Sequence, residues 1–260
     1  MRRIRLVIQY DGGDYVGWQT QSNGIAVQEV LQRELSRLTG EAIALHGSGR
    51  TDSGVHAFSQ VAHFDTNSRI EASKFSYALN AGLPRDIRVV FSDETSPDFH
   101  ARYDVLRKSY CYFIHNAPHS SPFLRRSCLH IHYRLDVPAM RSAAELFLGE
   151  HDFNAFRASG SRVESTVRTI YESSWSAHGD VLRYDVTGSG FLYNMVRIMV
   201  GAMLEIGLGR SDLSDISGAF EHCDRTRIGV TAPAHGLALA RVQYADFDTA
   251  QIHRGGTICF

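Results

Sequence analysis

Apolar and polar residues alternate at the start of the chain, and the pattern then changes to a helical spacing. Residues 4–8 place an apolar side chain at every second position, which predicts a strand, and Asp11-Gly12-Gly13 predicts the turn after it. Apolar residues recur at helical spacing over 27–38, and Gly40 is suited to end that helix. Further strands are predicted over 42–46, 58–64 and 87–91, with a helix over 71–81. The order β–α–β–β–α–β is that of a ferredoxin-like unit.

The rest of the chain has the same mixture of elements. Strands are predicted over 108–115, 166–177, 181–186 and 237–244, and helices over 138–148, 190–208 and 212–222. The segment His178-Gly179-Asp180 favours a hairpin between two of these strands. We therefore expect an α+β fold of two ferredoxin-like (RRM-like) units with mainly antiparallel sheets, joined around a central cleft. The expected domains are residues 1–96 and 97–260.

Composition favours an ordinary globular protein. The 260 residues are 43% hydrophobic and 21% charged, and such a chain can bury a core without disulfides or metals. The four cysteines form no CxxC pair, which favours free thiols and a cytoplasmic location. The longest apolar segment, 195–208, contains Arg197 and Glu205, so no membrane-spanning segment and no membrane partner are expected.

The basic residues are almost all arginine. Only two of the 27 basic residues, Lys74 and Lys108, are lysines, although the formal net charge is −1. Arginine is suited to phosphates and base edges, and a basic patch attracts RNA even when the total charge is near zero. A genome rich in GC codons also produces an arginine excess, so composition leaves both explanations open.

A glycine-rich segment, Gly47 to Ala57, is the most distinctive local feature. It places Asp52 between Arg50 and Ser53 at the end of a predicted strand. A phosphate-binding loop is excluded because the required lysine is missing, and the third glycine of a dinucleotide fingerprint is replaced by Asp52. Two interpretations stay open: a solvated turn with a salt bridge, or a nucleophilic or basic aspartate kept ionised by a guanidinium.

Three later segments offer candidate binding residues. Tyr110 and Tyr112 share one face of a predicted strand, where tyrosines serve equally as ordinary strand residues or as stacking partners for a base. Arg197 lies on an otherwise apolar helix and would need a partner such as Asp52. Leu237 begins the last strand, where it could pack against a ligand or in the core.

Several chemistries have no support in the sequence. The 13 histidines include no HExxH motif, and GxSxG is absent, so neither a metal site nor a hydrolase triad is expected. A glycoside hydrolase would require a second carboxylate near the glycine-rich loop, and none is evident. We expect neither a metal nor a cofactor.

Seven segments in order resemble the tRNA pseudouridine synthase A family. The glycine-rich segment 49–57 resembles the signature loop of that family, and the other segments extend the likeness almost from end to end. Two small departures are Ala26, where threonine is common, and Lys108-Ser109 in place of two arginines. The segments are 11–21 with 27–28, 49–57, 99–102, 110–112, 149–157, 195–197 and 232–237.

The resemblance implies a homodimer that isomerises uridine to pseudouridine at positions 38, 39 and 40 of the tRNA anticodon arm, without cofactor or metal, in a catalytic cleft. Asp52 would be the nucleophile, and Arg50 would help to extrude the uridine. Tyr110 would stack on the flipped base and could move the C5 proton. The remaining implied site residues are Arg197, which would pair with Asp52, and Leu237, His56 and Gln19, which would bind substrate.

Two further hypotheses follow from the sequence. Arginines such as Arg2, Arg3, Arg50, Arg69, Arg102 and Arg126 are expected to form a basic groove for RNA. The alternative function is a tRNA- or RNA-binding module of the same fold without catalysis, in which Asp52 is only structural.

Overall fold

The structure is a computed structural model that describes residues 1–158, 160 and 163–252. The chain forms two compact units, one from Met1–Leu106 with the segment from Ala238, and one from Arg107–Leu237. The first is called unit 1 and the second unit 2. The units divide after Leu106 rather than after residue 96, and the last strand belongs to unit 1 because it pairs with a strand there.

Unit 1 has the predicted β–α–β–β–α–β order. Strand β1 pairs antiparallel with β3 and with β4, β2 pairs antiparallel with β3, and β10 pairs parallel with β3. The elements are β1 (Arg2–Tyr10), α1 (Val27–Thr39), β2 (His46–Gly47), β3 (His56–Thr66), α2 (Phe75–Gly82), β4 (Ile87–Thr95) and β10 (Leu237–Gln243).

The helices of unit 1 bury the apolar residues that the periodicity places on one side. Val27, Leu31 and Leu35 of α1 are fully buried, and Gly40 ends this helix with a left-handed φ of 72°. The helix predicted over 71–81 is a 3-10 turn at Ala72–Lys74 followed by α2. The strand predicted over 42–46 is wrong for most of its length, since only His46–Gly47 pairs with β3.

The strands of unit 2 pair mainly antiparallel with one another. Strand β9 pairs antiparallel with β5 and β8, β7 pairs antiparallel with β8, and β6 pairs parallel with β5. The predicted hairpin is confirmed as β8 and β9. The elements are β5 (Arg107–Asn116), β6 (Leu129–Ile131), α3 (Val137–Glu145), β7 (Gly149–Asp152), β8 (Val167–His178), β9 (Val181–Gly188), α4 (Met195–Gly207) and α5 (Leu213–His222). The predicted α+β class with mainly antiparallel pairing is confirmed.

Helix α4 is the apolar centre of unit 2. Almost every residue of it is buried, with Arg197 the half-buried exception near its start. The predicted start at residue 190 is wrong, because Asn194 has a left-handed φ of 60° that cannot continue a right-handed helix. Four phenylalanines, Phe147, Phe153, Phe156 and Phe220, pack ring against ring beside it. The segment 149–157 therefore has a structural role.

Across the residues that the structure describes, no helix is both long and apolar enough to cross a membrane.

Candidate active site

The glycine-rich loop of unit 1 is held by buried polar contacts on both sides of Asp52. Before Asp52, the hydroxyl of Ser48 donates to the side-chain oxygen of Gln60 (2.6 Å), and the amide of Gln60 donates to the Gly49 carbonyl (2.9 Å). Ser48 and Gln60 are both fully buried. Because a buried polar group is costly to leave unpaired, these two bonds fix the path of the loop as it leaves β2.

Thr51 anchors the residue that precedes the candidate nucleophile. Its hydroxyl lies 2.7 Å from the phenol oxygen of Tyr10, and its carbonyl accepts a hydrogen bond from the backbone N–H of Trp18 (3.1 Å). Tyr10 is nearly fully buried, and burial raises the pKa of its phenol. The phenol therefore stays protonated, and one side chain from the end of β1 fixes the backbone next to Asp52.

Close backbone packing explains the glycines of the N-terminal loop. A Cβ on Gly12 would lie 2.0 Å from the Val55 carbonyl oxygen, and one on Gly17, which has a φ of 105°, would lie 2.4 Å from the Thr51 carbonyl oxygen. Neither position accepts a side chain without moving the glycine-rich loop. The segment 11–17 thus packs directly on both flanks of Asp52.

Asp52 itself is half-buried, and Arg50 is exposed. The backbone carbonyl of Asp52 accepts from the N–H of Val55 (3.1 Å), and Gly54 takes a φ of 78°. This turn leaves Asp52 partly accessible on a loop that is otherwise rigidly supported. Gln19, which follows the buried Trp18, is also half-buried.

His56 contacts the N-terminal loop. Its Nδ1 accepts a hydrogen bond from the backbone N–H of Gly12 (3.0 Å) and lies 3.1 Å from a carboxylate oxygen of Asp11. Both contacts use the same ring nitrogen, so His56 ties β3 to the turn at Asp11 and Gly12. This contact gives His56 a positioning role in the loop, in addition to the substrate-binding role that the resemblance implies.

The predicted site residues of unit 2 lie on three different elements. Tyr110 of β5 is largely buried, and its ring packs edge to face on Phe191 with centroids 5.1 Å apart. Arg197 of α4 donates from Nε to the carbonyl of Ala232 and from its NH1 nitrogen to the side chain of Asn194, each at 2.7 Å. These two bonds fix the orientation of the Arg197 guanidinium. From the sequence, only a carboxylate partner is expected for Arg197.

Gly236 and Tyr112 position Leu237. The phenol of Tyr112 donates to the Pro233 carbonyl (2.8 Å), and a Cβ on Gly236 would lie 2.6 Å from the Tyr112 ring. Leu237 follows directly and is 5% exposed; it is the first residue of β10 but the last residue of unit 2, since unit 1 resumes at Ala238. The segment 232–237 is therefore clamped between Arg197 and Tyr112.

The predicted site residues divide between the units. Arg50, Asp52, His56 and Gln19 belong to unit 1, whereas Tyr110, Arg197 and Leu237 belong to unit 2. The pairing of Asp52 with Arg197 stays a prediction. Sequence reasoning missed four supporting residues, namely Tyr10, Gln60, Asn194 and Phe191. Three of them act through partners distant in the chain, whereas Asn194 contacts Arg197 only three residues away.

The arginines of the expected basic groove differ in their surroundings. Arg3 forms two hydrogen bonds with Asp65 (2.7 and 2.8 Å), and Arg2 pairs with Glu94 at 3.2 Å. Their charges are therefore balanced within unit 1. The other four arginines are exposed and are the better candidates for phosphate contacts: Arg50, Arg69, Arg102 and Arg126.

Comparison with known proteins identifies the class. A family model described as tRNA pseudouridine synthase matches residues 6–104 and 143–245. The chain belongs to the tRNA pseudouridine synthase family, and the matched segments contain both Asp52 and Arg197.

Two individual relatives of high sequence identity carry one name. The tRNA pseudouridine synthase A of Ruminiclostridium cellulolyticum is 49% identical over 245 residues, which are 94% of this chain and 100% of the relative. That of Acetivibrio thermocellus is 47% identical over 244 residues, with the same coverage of 94% and 100%. Among solved structures, an archaeal box H/ACA sRNP Nop10-Cbf5 complex matches 77% of this chain and 44% of that one, with 14% identity and a TM-score of 0.36. A likeness that weak carries no argument about the site.

Proposed function

We propose that this protein is an isomerase that converts uridine to pseudouridine at positions 38, 39 and 40 of the tRNA anticodon stem-loop. The observation that carries the proposal is the full-length similarity to proteins named tRNA pseudouridine synthase A, which covers 100% of those relatives. The rigid support of the Asp52 loop and the orientation of Arg197 agree with it.

Asp52 is the proposed nucleophile. Its carboxylate adds to C1′ of the ribose or to C6 of the uracil, after which the N1–C1′ glycosidic bond breaks and the base rotates. A new C5–C1′ bond then forms, the bond to Asp52 breaks and restores its carboxylate, the hydrogen on C5 leaves as a proton, and N1 gains one. The net change is an isomerisation that neither oxidises nor reduces the substrate, and the proposed steps use no cofactor or metal.

The other proposed site residues handle the flipped base. Arg50, exposed beside Asp52, helps to extrude the uridine and fills the space that it leaves. Tyr110 stacks on the uracil and relays the C5 proton, taking it up as its own hydroxyl proton leaves, and Leu237 packs on the ring. Gln19, from the N-terminal segment, and His56, at the start of β3, bind the substrate. Excluding water matters here, because water would hydrolyse the detached glycoside.

The proposal includes a homodimer that acts in the cytoplasm on tRNA, without a membrane partner. Sedimentation of the purified protein tests the dimer directly. A monomer at working concentrations that is fully active would overturn this part alone.

Tritium release tests the reaction. Unmodified tRNA transcribed with 5-tritiated uridine is incubated with purified protein and no cofactor, and wild type is expected to release tritium stoichiometrically with pseudouridine. Asp52→Asn is expected to bind the tRNA with unchanged Kd and to release none. Asp98→Asn, which removes an exposed carboxylate elsewhere in unit 1, is the control and is expected to keep wild-type activity.

Transcripts with cytidine at positions 38, 39 and 40 test the position. These are expected to bind but to release no tritium. Binding without release from any transcript would identify the protein as a non-catalytic RNA-binding module and would overturn the enzymatic proposal.

A further inference from the structure

A cleft in unit 2 lies outside the residues assigned to catalysis. Its volume is about 300 Å³, at the lower end of the range for ligand sites. None of the described residues that line it is acidic, and most carry hydrogen-bonding or cationic groups. The lining residues are His115, Ser120, Ser121, Leu124, Arg125, Cys128, Leu129, His130 and His235.

His115 lies at the wall of this cleft with an unsatisfied polar atom. The residue is 8% exposed, and its Nδ1 has no hydrogen-bond partner among the described residues. A buried ring nitrogen without a partner is unfavourable, and native structures pair such atoms with protein, water or ligand. The neighbouring His130, in register with His115 across β5 and β6, donates from Nε2 to the Ala117 carbonyl (2.8 Å).

The rim of the cleft is a fixed loop. The backbone N–H groups of Ser127 and Cys128 both donate to the Leu124 carbonyl, at 3.1 and 2.9 Å, and that of Leu124 donates to Ser121 (3.2 Å). The guanidinium of Arg125 donates to the Pro122 carbonyl (2.9 Å) and is otherwise exposed. This bond restricts the conformations of the Arg125 guanidinium and holds it near the mouth of the cleft.

The surface beside the cleft favours RNA over a small anion. Phe123, in the same loop, is 93% exposed, and Tyr133, just after β6, is 57% exposed and packs on His132. Exposed aromatic rings next to arginines are the groups on which unpaired bases stack. A site for an anion beside such rings suits a nucleotide chain, which offers a phosphate and unpaired bases together.

We propose that this cleft binds a backbone phosphate of the substrate RNA, at a nucleotide other than the one that is isomerised. The phosphate oxygens accept from the Arg125 guanidinium, from the serine hydroxyls and from the Nδ1 of His115 in its Nδ1–H tautomer. This inference rests on the proposed function, since it assumes that tRNA is the ligand.

Arg125→Gln tests the charge at the rim without disturbing a buried group. Its Kd for unmodified tRNA and its KM are expected to rise about tenfold, because a charge-assisted contact is lost. The slope of log Kd against log salt is expected to fall by about 0.7 to 0.9, the value for one phosphate. The kcat for tritium release at saturating tRNA is expected to stay unchanged. Arg85→Gln, an exposed arginine of unit 1, is the control and is expected to leave the slope unchanged.

A pair of variants at His115 tests the buried wall. His115→Leu removes the nitrogen and is expected to weaken RNA binding, whereas His115→Asn keeps a polar donor near the Nδ1 position and is expected to restore it. Nitrogen NMR of His115 reports the contact directly, and its Nδ1 resonance is expected to move when an anticodon stem-loop binds.

The outcomes separate this proposal from the proposed function. Wild type that releases tritium while Arg125→Gln matches Arg85→Gln in Kd and salt slope would overturn the cleft proposal alone. A shift of the His115 resonance with inorganic phosphate as large as with RNA would assign the cleft to a free anion and also overturn it. Loss of dimer sedimentation in Arg125→Gln would assign it to an interface between copies. Absence of tritium release in wild type contradicts the proposed function instead.

Discussion

The phenol oxygen of Tyr10 and the hydroxyl oxygen of Thr51 lie 2.7 Å apart in the core of unit 1, directly before the candidate nucleophile. Thr51→Val keeps the shape of the side chain but leaves the phenol without this partner. We expect the free energy of unfolding to fall by about 1–3 kcal/mol. The kcat for tritium release is expected to fall as well, because Asp52 loses a fixed neighbour.

A double-mutant cycle with Tyr10→Phe isolates this contact. If the hydrogen bond supports the loop, the double variant is expected to lose less stability and less kcat than the summed losses of the two single variants. Urea denaturation and kcat supply the two readouts. Strict additivity in both would show that the two hydroxyl groups act independently.

Arg197 offers a test that depends on geometry rather than on charge. Arg197→Lys keeps the positive charge, but a single ammonium on a flexible stem cannot reproduce the bonds to both Ala232 and Asn194. We expect kcat to fall about tenfold or more because the site is misplaced. The Kd for tRNA is expected to change little.

Arg183→Lys is the matched control for this experiment. Arg183 donates twice to Asp185, at 2.9 and 2.7 Å, in a half-buried pair on β9. Because neither member of this pair is one of the proposed site residues, wild-type kcat is expected. Equal losses in the two variants would argue against a specific role for Arg197.

Gly236→Ala tests the clamp on Leu237. The added Cβ would lie 2.6 Å from the buried Tyr112 ring, so the ring or the backbone must move. Overpacking of this kind destabilises by about 1–3 kcal/mol, and we expect KM to rise as Leu237 is displaced. Gly190→Ala is the control, since its nearest neighbour would lie at an ordinary 3.5 Å. Thermal denaturation and tritium-release kinetics distinguish the two.

His63 makes the stability of unit 1 sensitive to acid. Burial, together with the charges of Arg3, His100 and His46, lowers its pKa to about 4. The unfolded chain binds this proton near pH 6.5, whereas the folded one does so only near pH 4. Stability is therefore complete above pH 6.5 and decreases as the pH falls through this window, by roughly 3 kcal/mol in total.

His63→Asn removes the titrating group and keeps an acceptor for the Ala101 N–H, which now donates to Nδ1 at 3.1 Å. Urea denaturation of this variant is expected to give a flatter dependence on pH between 6.5 and 4.5. His178→Asn, at the exposed end of β8, is the control and is expected to keep the wild-type profile. An unchanged slope in His63→Asn would show that other groups, such as His100, dominate.

Local pattern predicted most elements, and long-range contacts explain the differences. The period of apolar residues located α1, β3 and the hairpin of β8 and β9 because each buries one regular face. The same pattern extended α4 too far, since the apolar residues before Met195 continue the helical spacing although Asn194 breaks the helix. The short strands β6 and β7 were missed because three or four residues show no period.

The candidate site was predicted by motif rather than by periodicity. The sequence located Asp52 on a glycine-rich loop, but it could not show that Tyr10 and Gln60 support that loop from β1 and β3. Such partners are distant in the chain and leave no local signal. The sequence pattern did not mark His115 either. A histidine in a strand is common, and only the structure shows that its Nδ1 lacks a hydrogen-bond partner among the described residues.

The parallel pairing of β10 with β3 has a consequence for biosynthesis. His56 lies in register with Ala238, and the whole of unit 2 lies between them in the chain. A ribosome therefore finishes unit 2 before it makes the strand that completes the sheet of unit 1. During translation, the edge of β3 stays open until the final segment emerges. Strand β10, the partner of His56, is thus added last, and a prematurely terminated chain would lack a finished unit 1 although it contains the whole Asp52 loop.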